Sequence, residues 1–184
     1  MSVNLSVRQF QGPGLVQDVR DALRESGLNP ESLVLEITES IALNDAPSTT
    51  ATLKGLRILG AQLAIDDFGT GYSSLSYLQR LRADFLKMDR SFIEKLGGDL
   101  DGAVLVSGVI NLAQSLGLKV IAEGVEELGQ AGWLRDLGCD IAQGYYFQRP
   151  LPGEKAEELL ANLVATGFKD RMLEAQIVSS REPE

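Results

Sequence analysis

Residues 62–71 read QLAIDDFGTG: an apolar run, two adjacent aspartates, then a turn with two spaced glycines. A short apolar run with a branched side chain, closed by glycine, predicts a buried strand rather than a helix. The pattern recurs in VNLSV (3–7), SLVLEIT (32–38), DFLKMD (84–89), LKVIAEG (118–124) and CDIAQG (139–144), which read as strands buried on both faces. Between them, apolar residues return at helical spacing: Leu15, Val19, Ala22 and Leu23; Leu53, Leu56 and Leu59; then Val104, Val109, Leu112, Ala113 and Leu116. Gly27, Gly60, Gly117 and Gly138 each stand where a helical pattern stops and a strand begins. Strands alternating with helices give an α/β fold with a parallel sheet of about six βα units. That count leaves two architectures open, a doubly wound sheet and a (βα)8 barrel, which needs eight.

Nearly every strand ends in a polar group: Asn4, Glu36, Asp66 with Asp67, Lys87 with Asp89, Glu123 and Gln143. In a parallel barrel these C-terminal ends share one rim, where active sites are built from several strands. Taken singly, each is explained as a solvated loop acid or a helix cap. As a set they are not, because Glu36, Lys87 and Glu123 interrupt apolar runs, where a polar group is costly to bury without partners. Adjacent aspartates also raise the cost of ionising one another.

Composition narrows the chemistry of such a site. The chain has no histidine and a single cysteine, Cys139, which excludes the usual zinc sites, Ser-His-Asp catalysis and an internal disulfide. Carboxylates and an asparagine amide suit Mg²⁺ or Mn²⁺, and a pair of such ions would offset the repulsion between Asp66 and Asp67 and hold a phosphodiester. Lys87 faces the same ring; acids raise its pKa and bound dications lower it, so it is a candidate base toward an attacking water. A Schiff-base lyase fits less well, since such a lysine is usually activated by an apolar pocket or another cation.

With 184 residues, 44% of them hydrophobic, one compact domain is expected. The net charge of −9 argues against a nucleic-acid polymer as partner. No apolar run approaches the roughly 20 residues of a membrane span, and the N-terminus lacks a signal-peptide layout. Together with the lone cysteine this reads as a cytoplasmic protein without membrane insertion. The GTGYSS loop (69–74) offers small residues and backbone N–H groups for ligand approach. Trp133 is expected in the core or half-buried on the helix after Glu126, and packing is the first reading of Tyr145 and Tyr146. Residues 151–168 read as an amphipathic helix with Leu159, Leu160 and Leu163 inward, followed by a charged end.

The segments NLS (4–6), LEITES (35–40), DDFGTGYSSLSYL (66–78), FLKMDRSFI (85–93), VIAEGVE (120–126) and QGYYFQRP (143–150) closely resemble the EAL family of bacterial cyclic di-GMP phosphodiesterases. The resemblance implies a modified (βα)8 TIM-type barrel that hydrolyses cyclic di-GMP to linear pGpG with Mg²⁺ or Mn²⁺, two ions in all. It casts Asn4, Glu36 and Asp66 as metal ligands, Asp67 as ligand to the second ion, and Lys87 as the group that orients or deprotonates the water. Glu123 and Gln143 would complete the metal and water network. Glu39 would hold the loop after Asp67 and couple the site to dimerisation. The family's Glu-Ala-Leu strand, with its metal-binding glutamate and a nearby phosphate-contacting arginine, has no counterpart here. The expectation is therefore a barrel truncated at its N-terminus to about six units: a partial EAL domain over residues 1–167 and a C-terminal helix or tail over 168–184. Its open edges would favour homo-oligomers, and a longer parent would carry upstream sensory or GGDEF-type modules. The alternative from another class is a non-catalytic cyclic di-GMP receptor or interaction domain on a degenerate barrel.

Overall fold

The computed structural model describes residues 1–42, 46–69, 78, 81–96 and 100–166. Among them, β1 (Ser2–Leu5), β2 (Val34–Thr38), β3 (Gln62–Phe68), β4 (Phe85–Met88), β5 (Lys119–Ala122) and β6 (Ile141–Ala142) form one sheet. Every pairing is parallel, and the spatial order is the chain order. A doubly wound sheet reverses its strand order at a switch point. Here every crossover steps one strand onward in the same sense, which is the winding of a TIM-type barrel and settles the choice the strand count left open.

The crossovers carry α1 (Val7–Phe10), α2 (Leu15–Ser26), a 3₁₀ turn (Pro30–Ser32), α3 (Glu39–Ala42), α4 (Pro47–Ile58), α5 (Arg90–Ile93), α6 (Leu100–Ser115) and α7 (Leu128–Asp136). All belong to one compact unit, Met1–Phe147; a second unit, Gln148–Glu184, contains α8 (Gly153–Thr166). The four glycines read as helix stops do take left-handed φ, from +66° at Gly27 to +92° at Gly60.

The two faces of the sheet differ because side chains alternate along a strand. One face carries Leu35, Ile37, Leu63, Ile65, Leu86, Met88, Val120 and Ala122, all buried against helix residues such as Leu23, Leu56, Ile110 and Ala113. The other has only a small apolar layer, Ala64, Phe85 and Ile121 with Val34 against it. Two residues further along the same four strands come Asp66, Lys87, Glu123 and Glu36. At the opposite ends of the strands, Asp84 and Asp140 each precede a strand and accept the neighbouring strand's N–H, from Leu63 and Val120, at 2.9 Å.

Several expectations need correction. Ser6 and Val7 are not strand: Ser6 caps α1 in a reciprocal pair with Gln9, which ends β1 at Leu5. Burial on both faces holds for β4 but not at the sheet ends, where Ser2 and Asn4 are exposed and Ile141 is 42% exposed. Val104 is 70% exposed and is not core, whereas Trp133, at 45% exposure, is half-buried on α7, the second of the two places expected for it. In α8 Leu160 is exposed, and the side chain of Leu163 lies outside the described residues. Tyr146 packs on the core as expected, whereas Tyr145 is exposed. No helix among the described residues is long and apolar enough to cross a membrane.

Candidate active site

Alternation brings the polar strand-end residues of successive strands to one place. Lys87 Nζ donates to Glu36 Oε2 at 2.5 Å, Asp66 Oδ1 at 2.8 Å and Glu123 Oε1 at 2.8 Å. Gln143 Nε2 donates to the same Glu123 oxygen at 3.0 Å. The Asn4 amide stands over Asp66 Oδ2 and Glu36 Oε2, and with its NH₂ turned to them it donates to both at 3.2 Å. A half-turn of that amide would present its carbonyl oxygen to the same point. Ser2 Oγ donates to the remaining Glu36 oxygen, Oε1.

The Lys87 and Glu36 side chains are 6% and 8% exposed, Asp66 14% and Glu123 20%. An ammonium or carboxylate in such a place is tolerable only with partners. Burial alone would lower the Lys87 pKa, but the hydrogen bonds it donates to Asp66, Glu123 and Glu36 outweigh it and hold the lysine above its ordinary value. Glu123 is also raised, first by burial, although Lys87 pulls the other way. Both partners of one contact thus shift upward, Glu123 first because it is buried and Lys87 because its bonds to three acids outweigh its burial.

Asp67 reaches the rim by a device that the sequence did not disclose. The β3–β4 register runs Ala64 to Phe85 and Ile65 to Leu86, then resumes at Phe68 to Met88, leaving Asp66 and Asp67 together opposite Lys87. This is a bulge, and Asp67 occupies left-handed space at φ +55° within it. Its N–H donates to Asp66 Oδ1 at 3.1 Å. The residue is exposed, yet partial burial of its carboxyl heads the causes that raise its pKa, followed by the charges of Asp66 and Asp89. Asp89 caps α5 by accepting from the Ser91 N–H at 3.0 Å, and hydrogen bonds from Ser91 lower its pKa.

A second cluster braces the rim. Arg90 Nη1 meets Glu126 at 2.8 Å and Nε meets Glu94 at 2.6 Å, tying the end of β4 to the loop after β5. The stem of Arg90 lies on Gly124, where an added Cβ would stand 2.6 Å from Arg90 Cγ. Glu39 is buried at the start of α3, and neither of its carboxylate oxygens has a hydrogen-bond partner among the described residues. The loop it is expected to hold lies, from Thr70 on, outside the described residues. A cavity of about 140 Å³ opens between Val7, Phe10, Gln11, Ser40, Ile41 and Thr49; no residue of the ring lines it.

Of the expected residues, Asn4, Glu36, Asp66, Lys87, Glu123 and Gln143 are therefore in one contact network, Asp67 adjoins it, and the Glu39 carboxylate makes no hydrogen bond to it among the described residues. Ser2 and the Arg90–Glu126 brace were not anticipated, and Asp89, expected among the rim's polar groups, serves as the cap of α5. Ser2 had one available signal, its position two residues before Asn4 on the same strand face. Among the described residues no three acids already surround an open point; those that converge do so on the Lys87 ammonium. The donors are hard oxygens throughout and fit Mg²⁺ or Mn²⁺, which would take carboxylate oxygens that Lys87 now engages.

The EAL domain family profile matches residues 1–150. The bifunctional diguanylate cyclase/cyclic di-GMP phosphodiesterase MucR of Pseudomonas aeruginosa is 48% identical over 163 residues, 89% of this chain and 23% of that protein. This chain thus spans about a quarter of the length of that relative. The solved MucR phosphodiesterase in complex with c-di-GMP superimposes with a TM-score of 0.79 at 48% identity, covering 84% of this chain and 63% of that one. A manganese and cyclic di-GMP complex of BlrP1 from Klebsiella pneumoniae gives a TM-score of 0.74 at 35% identity, over 81% of this chain and 38% of the other.

Proposed function

Because this chain belongs to the EAL domain family, we propose that it hydrolyses cyclic di-GMP to linear pGpG at the carboxylate ring, with divalent metal ions. The observation that carries the reading is the convergence of Glu36, Asp66 and Glu123, from three strands, on Lys87 Nζ at 2.5–2.8 Å. The solved complexes of MucR with c-di-GMP and of BlrP1 with manganese and the dinucleotide support it.

Bound Mg²⁺ or Mn²⁺ would supply the positive charge that draws an anionic phosphodiester to an acidic ring and polarises it. Asn4, Glu36, Asp66 and Glu123 would hold the first ion and Asp67, with Asp66, the second. Lys87 Nζ orients the attacking water, and it would take that water's proton only once bound cations had drawn its carboxylates away and lowered the pKa that they otherwise hold high. Gln143, through its 3.0 Å bond to Glu123, fixes that carboxylate and lines the water's approach. Glu39 supports the loop after Asp67.

The same reading makes the chain part of a longer cytoplasmic signalling protein with upstream sensory or GGDEF-type modules, supported by the bifunctional naming and greater length of MucR. Homo-oligomers are supported by the outer edges of β1 and β6, each paired on one side only among the described residues.

Incubating the chain with cyclic di-GMP and Mn²⁺ and following pGpG by chromatography tests the proposal. Expected is turnover that EDTA stops and that Lys87→Ala lacks. Binding of the dinucleotide without turnover, in the chain and with its upstream strands restored, would instead establish the receptor alternative.

A further inference from the structure

Glu36 is the most deeply enclosed acid of the ring, and its two oxygens have different duties. Oε2 accepts from Lys87 at 2.5 Å and faces the Asn4 amide at 3.2 Å, while Oε1 accepts from Ser2 Oγ. The β1–β2 register places Ser2 opposite Val34 and Asn4 opposite Glu36, so Ser2 lies diagonally behind Glu36 on the same face. The terminal torsion of a glutamate is broad and roughly two-fold, so little in the side chain itself fixes the plane of its carboxylate. A hydroxyl on one oxygen does fix it.

We propose that Ser2 is a positioning residue for divalent-metal binding: its hydroxyl locks the plane of the Glu36 carboxylate so that Oε2 stays aimed at the point shared with Asn4 and Asp66. The inference rests on the metal role proposed above for Glu36. Without the hydroxyl, the carboxylate turns, and the cation must order it on arrival. Loss of a group that orients a metal ligand typically weakens metal binding by about 10–100-fold.

The test is calorimetric titration of the full chain with Mn²⁺ alone, without nucleotide, beside apo melting curves. Ser2→Ala is expected to bind Mn²⁺ at least about 10-fold more weakly. Ser2→Thr, which keeps the hydroxyl and suits a strand, is expected to bind as the parent does. Glu36→Gln is expected to lose the site. Parent-like affinity in Ser2→Ala with loss in Glu36→Gln overturns the role of Ser2 and leaves the metal reading standing. A lower apo melting point in Ser2→Ala at unchanged affinity does the same, since that is what a merely structural hydroxyl would do. Parent-like affinity in Glu36→Gln overturns the metal reading itself and this inference with it.

Discussion

One ammonium answers three carboxylates at Lys87, and that imbalance sets what single substitutions do. Lys87→Met keeps the stem but leaves Glu36, Asp66 and Glu123 uncompensated at 8%, 14% and 20% exposure. Removing one partner of a buried ionic cluster typically costs about 3–5 kcal/mol, so the apo variant should melt well below the parent at pH 8, and Mn²⁺ should restore part of the loss. Calorimetric melts with and without Mn²⁺ measure this; a variant as stable as the parent would contradict it. The lysine's own pH dependence has a definite sign. Its pKa is raised, so its stabilisation is complete below the ordinary lysine value of about 10.4 and disappears only as pH climbs through the raised one. These residues were legible because Glu36, Lys87 and Glu123 break apolar runs at the same phase of a period-two pattern. Ser2 was not, since a serine near a strand start has many ordinary explanations.

At the level of elements, the bulge in β3 and the brace beneath β5 set the ring's shape. Two adjacent residues on a regular strand point to opposite faces; the register shift between Ile65 and Phe68 and φ +55° at Asp67 put both aspartates opposite Lys87. Bulges leave little trace in a single sequence, because they depend on where the partner strand's pairing resumes. Gly124 is the corresponding point beside Glu123: its φ is +73°, and Arg90 Cγ would lie 2.6 Å from an added Cβ. Gly124→Ala should therefore destabilise by about 1–3 kcal/mol from backbone strain, with steric conflict added. In an Arg90→Gly background the steric part vanishes, since Arg90 Cβ, 2.7 Å from the added Cβ, goes with Cγ and Cδ, so the alanine should cost less there than in the parent. Urea titration of the four proteins reads the coupling, and strict additivity would show that Arg90 does not press on Gly124.

For the whole molecule, a parallel sheet and its six strands were readable from alternation and glycine stops, but its winding was not. Strand order is a property of crossovers rather than of any local segment, and only the unreversed sequence β1 to β6 separates a barrel from a doubly wound sheet. The barrel-type winding concentrates acid on one face, with a consequence for stability against pH. Glu123 and Asp67 have raised pKa values, so the folded apo chain holds their protons more tightly than the unfolded chain. Their ionisation costs apo stability as pH rises from the ordinary carboxylate values through the raised ones. Bound cations reverse that cost, and protons compete with them. The rise in melting temperature produced by Mn²⁺ should thus be small near pH 5 and larger at pH 8; a shift independent of pH would place the metal away from these acids. The most direct measurement is anomalous diffraction from crystals soaked in Mn²⁺. Expected is a peak within coordination distance of Asn4, Glu36 and Asp66, with the Lys87 contacts to Glu36 and Asp66 lengthened. Crystals saturated with Mn²⁺ that show no peak at the ring, and Lys87 still on its three carboxylates, would contradict the assignment of this site as a metal-dependent phosphodiesterase centre.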